Sequence, residues 1–168
     1  MADEQIAGTP PSALPLAIQA QYLKDLSFEN PQAPGHYAKM QEAAGSGPNV
    51  SIEVSTNARG LGGDNYEVAL TMRGEAKIET QTLFLVEVSY AGIFTVQGVA
   101  EPDRMALLLI EGARHLFPFA RNIVADATRD GGFPPLMIHP IDFAELYRRR
   151  RAEGNLPGLQ AGSPQGTA

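Results

Sequence analysis

The chain has 168 residues, of which 13 are Lys or Arg and 19 are Asp or Glu, so its formal net charge is −6. This length suits one domain with a real hydrophobic core. A net negative charge disfavours binding to the phosphate backbone of nucleic acids, and we therefore expect no nucleic-acid partner. The chain contains no cysteine, which excludes disulfides and thiolate metal sites.

The two ends of the chain differ in composition from its middle. The start lacks the basic and apolar regions of a secretory signal, and no apolar run approaches the roughly 20 residues of a membrane span. We therefore expect a cytoplasmic protein without membrane insertion. Residues 1–14 and 153–168 offer little to bury, which predicts a flexible N-terminal arm and a disordered C-terminal tail around a single domain at 15–152.

The first part of the domain has the period of two that is typical of strands. Apolar residues occupy the even positions from Leu16 to Phe28, with Lys24 as the exception, which predicts a strand with one buried and one wet face. Further strands are predicted around Val50–Val54, Tyr66–Arg73 and Thr82–Gln97, with a hairpin connection at residues 60–65. Short connections between four strands indicate an antiparallel meander.

A long helix is predicted to follow, from Pro102 to Gly131. Its segment Met105–Ile110 is apolar on every side, and one sheet can cover only one of those sides. We expect a second subunit to cover the remaining apolar sides of this segment. Pro118 lies inside the helix and predicts a kink or a restart there, because proline removes a backbone hydrogen bond.

The last elements are an extended crossover and a short helix. Three prolines hold Phe133–Pro140 extended, and a helix is predicted from Asp142, with Glu145 placed for a capping box. The helix ends in Arg148–Arg151. We interpret this run as cations that complement the helix dipole rather than as a nucleic-acid or membrane patch. The fold class is therefore α+β: a four-stranded antiparallel meander, a long kinked helix, an extended crossover and a short helix.

Motifs of catalysis and of cofactor binding are missing from the sequence. There is no phosphate-binding loop, dinucleotide turn, zinc-protease motif or nucleophile elbow. His36, His115 and His139 have no metal-ligand spacing, and Asp126 and Asp130 fit a solvated helix face. We expect no catalytic residue, no metal and no cofactor, and hence a protein that is not an enzyme.

Two stretches resemble a known family. Ile18–Pro31, with the core Tyr-Leu-Lys-Asp-Leu-Ser-Phe-Glu, resembles the first strand of the SecB protein-export chaperones. Leu116–Arg121, followed by Phe133-Pro134 and Phe143, resembles the helix and crossover of that family. Shorter matches to its fourth strand occur in order between them, at Glu87-Val88, Gly92–Phe94 and Gly98. The resemblance covers about residues 16 to 150.

The resemblance implies an ATP-independent chaperone without covalent chemistry. It would hold unfolded precursor proteins in a form competent for translocation across the cytoplasmic membrane, and deliver them to the SecA motor. It also implies a homotetramer, built as a dimer of dimers, in which two eight-stranded sheets enclose the long helices.

The family's functional residues are carried over by position. Val50, Ile52 and Val54 match apolar positions that contact clients, and the crossover and last helix are assigned by region. Asp25 and Glu29 match acidic SecA-docking positions, and Ile78 and Glu79 lie near a second docking patch, although the family's acidic residue aligns better with Thr80. The client-binding candidates assigned by region rather than by position are Phe133, Leu136, Ile138, Phe143, Leu146 and Tyr147.

Two other functions stay open from the sequence. The first is a SecB-like chaperone dedicated to a toxin–antitoxin pair. The second is a small-ligand-binding or enzymatic α+β domain that uses the same groove. That class needs polar groups that converge in the pocket, and the sequence offers only His139 and Tyr147.

Overall fold

The computed structural model describes residues 15–43, 45–156 and 160–161. The predicted N-terminal arm and most of the predicted C-terminal tail lie outside these ranges. The described elements are β1 (Leu16–Glu29), α1 (His36–Glu42), β2 (Asn49–Gly62), β3 (Asn65–Ile78), β4 (Gln81–Val96), α2 (Glu101–Leu107), a π-helical segment (Leu108–Gly112), α3 (Ala113–Asp130), α4 (Phe143–Ala152) and the two-residue strand β5 (Gln160–Ala161).

The strands form one sheet in the order β1-β4-β3-β2-β5. The four long strands pair antiparallel, and β5 pairs parallel with β2 at Arg59 and Gly60. The predicted α+β fold with its antiparallel sheet is confirmed. Helix α3 packs against β3 and β4, so one face of the sheet carries the helices. We call this the inner face, and the opposite one the outer face.

The core lies between the inner face and the long helix. Val68, Leu70 and Met72 of β3 are fully buried at alternate positions, as the period of two requires, and Leu116 and Val124 of α3 are fully buried above the sheet. The central strands β3 and β4 therefore hold the core, while β1 and β2 are the outermost of the four long strands.

The predicted alternation of β1 is wrong in the middle of the strand. The pairing of β1 with β4 shifts register between Ile18 and Ala20, and again between Leu23 and Asp25. Each shift inserts one unpaired residue and so reverses which residues face inward. Tyr22, predicted to be buried, lies opposite Ala91 on the outer face, and Leu23 lies opposite Tyr90 on the inner face.

No residue of β1 is fully buried, because it is an edge strand with a neighbour on one side only. The side chains of Ile18, Leu23 and Leu26 are 39%, 46% and 42% exposed. The prediction of a buried face on this strand is therefore not met within the single chain.

The long helix also differs from the prediction. Helix α3 continues without interruption through Pro118, and the irregularity comes earlier, at the π-helical segment Leu108–Gly112. Leu108 and Leu109 are buried there, while Met105, Leu107 and Ile110 are only half-buried. One sheet thus covers one side of the apolar segment, as expected, and leaves the rest of it partly open.

Two short helices lie at different points of the chain, α1 between β1 and β2 and α4 after the crossover. Helix α1 was not predicted, although its sequence His-Tyr-Ala-Lys-Met-Gln-Glu contains mostly good helix formers. Helix α4 begins as predicted, with the Asp142 side chain accepting a hydrogen bond from the Glu145 N–H over 2.9 Å. The other half of the capping box does not form, because the Glu145 carboxylate binds Arg148 at 2.6 Å.

Candidate binding groove and outer sheet face

An apolar groove of about 460 Å³ runs along the β2 edge of the sheet. One side consists of Val50, Ile52 and Val54, which share the inner side of β2. The other side is the crossover segment 136–141. Val50 and Ile52 are 38% and 37% exposed, so the groove is open to solvent. The structure therefore brings together five of the predicted client residues, Val50, Ile52, Val54, Leu136 and Ile138, although Ile138 is 6% exposed and packs in the core.

A glycine of β3 lets the crossover approach the sheet closely. A Cβ atom at Gly74 would lie 2.9 Å from Leu136 Cδ2 and 3.5 Å from Ile52 Cδ1. The distance to Ile52 is an ordinary contact, but the distance to Leu136 is too short, so a side chain here would displace Leu136. Gly74 thus forms the floor on which the two sides of the groove meet.

The end of α3 anchors the crossover. Thr128 is fully buried, and its hydroxyl accepts a hydrogen bond from the Leu136 N–H over 2.9 Å. The same hydroxyl donates to the carbonyl of Val124 over 2.9 Å. An extended segment with three prolines has few backbone bonds of its own, so this bond fixes the height of Leu136 above the sheet.

Helix α4 extends the groove. A second cavity of about 320 Å³ is lined by Ile52 and Val54 together with Ile141 and Leu146, and it has Asp142, Glu145 and Arg149 among its polar residues. The predicted client residue Leu146 therefore joins the same surface. The groove is apolar along β2 and charged where α4 closes it.

Three predicted client residues lie elsewhere. Phe133 is 5% exposed and packs against Phe84 with ring centroids 4.8 Å apart. Phe143 is 2% exposed and meets Phe117 edge-on at 5.9 Å. Both rings belong to the core, Phe133 at the start of the crossover and Phe143 at the start of α4, and Tyr147 is half-buried against the same core. These side chains support the groove from behind.

One residue of the groove region was not singled out from the sequence. Arg150 is half-buried, whereas Arg148, Arg149 and Arg151 are exposed. Its guanidinium donates to the carbonyls of Val54 and Thr56 on β2, at 2.7 and 3.4 Å. Four consecutive arginines carry no sequence signal that separates this one from its neighbours, so only the structure identifies it.

The outer face of the sheet is charged and carries the predicted SecA-docking residues of β1. Asp25 and Glu29 are exposed and lie opposite Ser89 and Leu85 of β4. Within the described ranges, no cation lies within ion-pairing distance of either carboxylate. Both charges therefore face solvent without a partner of opposite sign.

Next to these residues, Glu67 forms the centre of a buried polar network. It is 8% exposed and accepts hydrogen bonds from the Tyr22 hydroxyl at 2.5 Å and from Lys24 at 2.8 Å. Arg59 completes the network at 3.2 Å. Lys24 is the residue at the second register shift of β1, so the network fastens this bulge to β3.

The network shifts two pKa values. Burial raises the pKa of the Tyr22 hydroxyl to about 12, and the hydrogen bond to Glu67 adds to the effect. Burial on its own would raise the pKa of the Glu67 carboxyl, but the hydrogen bonds from Lys24 and Tyr22 and the two nearby cations outweigh it and lower that pKa. Glu67 is therefore held as a carboxylate.

The second predicted docking patch lies at the turn between β3 and β4. Ile78 is half-buried, and Glu79 is exposed with a positive φ of 53°. Both line a polar cavity of about 470 Å³ with Lys39 of α1 and Lys77. This patch thus contains both signs of charge, unlike Asp25 and Glu29.

In the part of the chain that the structure describes, no group of three metal-ligating side chains comes together. No helix there is long and apolar enough to cross a membrane. The three histidines lie apart, and only His139 lines the apolar groove.

The fold and the groove define a class: an α+β protein whose sheet edge, crossover and last helix leave apolar side chains open. The family model described as preprotein translocase subunit SecB matches residues 10–154, and the chain therefore belongs to the SecB family. The protein-export protein SecB of Rhodospirillum centenum is 51% identical over 83% of this chain and 81% of its own. That of Paramagnetospirillum magneticum is 49% identical over 92% of this chain and 98% of its own.

A solved structure supports the fold. The SecB-like chaperone of Mycobacterium tuberculosis, in complex with a peptide from an antitoxin, superposes with a TM-score of 0.62. It is 18% identical, and the match covers 75% of this chain and 90% of that one. The chain is thus a member of a family of export chaperones.

Proposed function

We propose that this chain is a cytoplasmic, ATP-independent chaperone that binds unfolded precursor proteins, keeps them competent for export and delivers them to SecA. The observation that carries the proposal is the groove on the β2 edge. Its apolar side chains stay open to solvent, with Met137 58% exposed beside Val50 and Ile52. A folded protein hides its apolar side chains, so such a groove selects chains that have not folded.

The energies explain why several grooves are needed. Burial of one client side chain contributes about 1.5–3 kcal/mol, which alone does not hold a chain. If one long client engages several grooves of an oligomer, the avidity exceeds that of one groove by about 10² to 10⁴. The proposed homotetramer, a dimer of dimers, supplies those grooves.

Apolar surface elsewhere supports the oligomer. Ile18, Leu23 and Leu26 are exposed on β1, and Phe119 of α3 is 49% exposed where it stacks on Tyr90 at 5.8 Å. Apolar patches of this kind mark interfaces between proteins. Light scattering of the purified chain, with and without an unfolded precursor, tests both the assembly and the binding.

The groove is tested by replacing Val50, Ile52 and Val54 together by alanine. We expect weaker binding of an unfolded precursor in a calorimetric titration, while light scattering shows an unchanged assembly. The matched control is Leu61→Ala, which shortens an exposed apolar side chain of the same strand that does not line the groove. Unchanged affinity in the triple variant would reject the groove as the client site.

SecA docking is proposed for the outer face, through Asp25 and Glu29. Carboxylates without a partner attract a basic surface and accelerate its association, and salt weakens the effect. We expect Asp25→Ala to lose affinity for SecA and to keep client binding. Asp103→Ala, at an exposed position of α2, removes the same charge elsewhere. If both variants bind SecA like the unchanged chain, the docking surface lies elsewhere.

The toxin–antitoxin alternative gains no support from this chain. The antitoxin peptide is bound by a structural neighbour that is 18% identical, and likeness at that level carries the fold alone. Co-purification that recovers one antitoxin, rather than many precursors, would favour this alternative.

A further inference from the structure

The free edge of β2 is divided into three parts. At its far end, Arg59 and Gly60 pair with β5. In the middle, Val54 and Thr56 accept hydrogen bonds from Arg150. Along Asn49–Glu53, the described residues place no strand beside β2 on this side. The open part is the part that borders the apolar groove.

The backbone groups in the open part point outward. In an antiparallel pair, residues alternate between turning their N–H and C=O toward the partner strand and away from it. Arg150 reaches the carbonyls of Val54 and Thr56, so these residues turn away from β3. The pairing of β2 with β3 runs without a shift from Asn49 to Gly60. Val50 and Ile52 therefore also present N–H and C=O groups at the free edge.

The edge accepts added strands, since β5 of the same chain already pairs with it. A strand laid beside Val50 and Ile52 would send every second side chain toward the crossover, where Leu136 and Met137 line the groove. An extended, unfolded segment with apolar residues at alternate positions fits both the backbone and the groove.

We propose that Arg150 sets where such a client segment must end on β2. Its guanidinium occupies the next two outward carbonyls, so a bound segment pairs only with Asn49–Glu53, a stretch of about five residues. The planar fork of an arginine can hold two carbonyls at once, which a lysine cannot do equally well. Arg150 is thus a specificity-determining residue that acts by blocking the edge, and the proposal rests on the proposed client groove.

The test uses the full chain and two fluorescently labelled peptides of alternating leucine and serine, of five and eight residues. In Arg150→Met, which keeps the aliphatic stem but removes the donors, two more carbonyls become available. We expect the eight-residue peptide to bind roughly three- to tenfold tighter and the five-residue peptide to bind as before. Arg151→Met is the matched control, because it removes a neighbouring exposed cation, and it should change neither affinity.

Amide hydrogen exchange gives a readout that a merely structural role of Arg150 would not move. In the unchanged chain, the eight-residue peptide should protect the N–H groups of Val50 and Ile52 only. In Arg150→Met, the protection should extend to Val54 and Thr56. Arg150→Lys, which keeps the cation, should give a smaller gain of the same kind and serves if the methionine variant does not fold.

Several results would overturn the proposal. These are an equal gain in Arg151→Met, an unchanged eight-residue affinity in Arg150→Met, or peptide protection that already reaches Thr56 in the unchanged chain. Binding that is insensitive to N-methylation of the peptide backbone would also exclude strand addition, while leaving the client groove intact. If the unchanged chain binds neither peptide nor any unfolded precursor, the proposed function itself fails.

Discussion

The hydrogen bond between Thr128 and Leu136 makes a sharp prediction about the crossover. Thr128→Val keeps the shape of the side chain but removes its hydroxyl, so the Leu136 N–H loses its acceptor. Thr128 is fully buried, and water cannot replace the hydroxyl at that position without opening the contact. An unsatisfied donor of this kind costs about 1–3 kcal/mol.

The assay is thermal unfolding followed by circular dichroism, at one fixed protein concentration because assembly also contributes to stability. A loss of 1 kcal/mol lowers the Tm of a domain of this size by about 2–4 °C. Thr128→Ser is the matched control. It removes a buried methyl group and costs about 1 kcal/mol for that reason, but it keeps the acceptor.

Amide exchange separates the two variants. We expect the Leu136 N–H to exchange slowly in the unchanged chain and in Thr128→Ser, and quickly in Thr128→Val. Client affinity should fall in the valine variant only, because the crossover then no longer holds Leu136 at a fixed height over the sheet. A valine variant in which the Leu136 N–H remains protected would refute the anchoring role of Thr128.

Three further predictions concern the same framework. Gly74→Ala should displace the Leu136 side chain, since the new Cβ would lie 2.9 Å from Leu136 Cδ2. Calorimetry should show weaker client binding, and thermal unfolding should show little change in Tm. Gly131→Ala should destabilise the fold by about 1–3 kcal/mol, measured by urea unfolding, because its Cβ would overlap the Phe28 ring. The folded-state pKa of Glu67 is lowered. Its contribution to stability is therefore present above the unfolded-state pKa and is lost as the pH falls through the folded-state pKa. Unfolding measured at stepwise lower pH should show a smaller loss of stability in Glu67→Gln than in the unchanged chain.

The sequence predicts the elements whose pattern is local. The alternation of Val68, Leu70 and Met72 is correct because β3 is central and both its neighbours are strands of the same chain. The cap at Asp142 is correct because its acceptor and donor are three residues apart. In these cases the pattern that predicts the structure lies within one element, and for β3 the neighbouring strands of the same chain bury the side that the pattern marks as apolar.

The failures occur where distant residues decide. Tyr22 lies on the outer face because the register shift between Ile18 and Ala20 reverses the alternation before it, which a period of two does not show, and there Glu67, 45 positions away, binds its hydroxyl. Arg150 reaches carbonyls that are more than 90 positions earlier in the chain. Phe133 and Phe143 are apolar like the groove residues, and only packing decides that they belong to the core.

The shape of the two sheet edges bears on how a chaperone avoids capturing itself. The β2 groove is bordered by the crossover and, at one end, by α4, and Val50 and Ile52 within it are 38% and 37% exposed. The β1 edge has no such walls, and Leu23 and Leu26 lie open along it. In the proposed homotetramer, a second copy would cover β1 and leave the β2 groove free for an extended client segment. Under this proposal, assembly and client binding use apolar surfaces at opposite edges of one sheet.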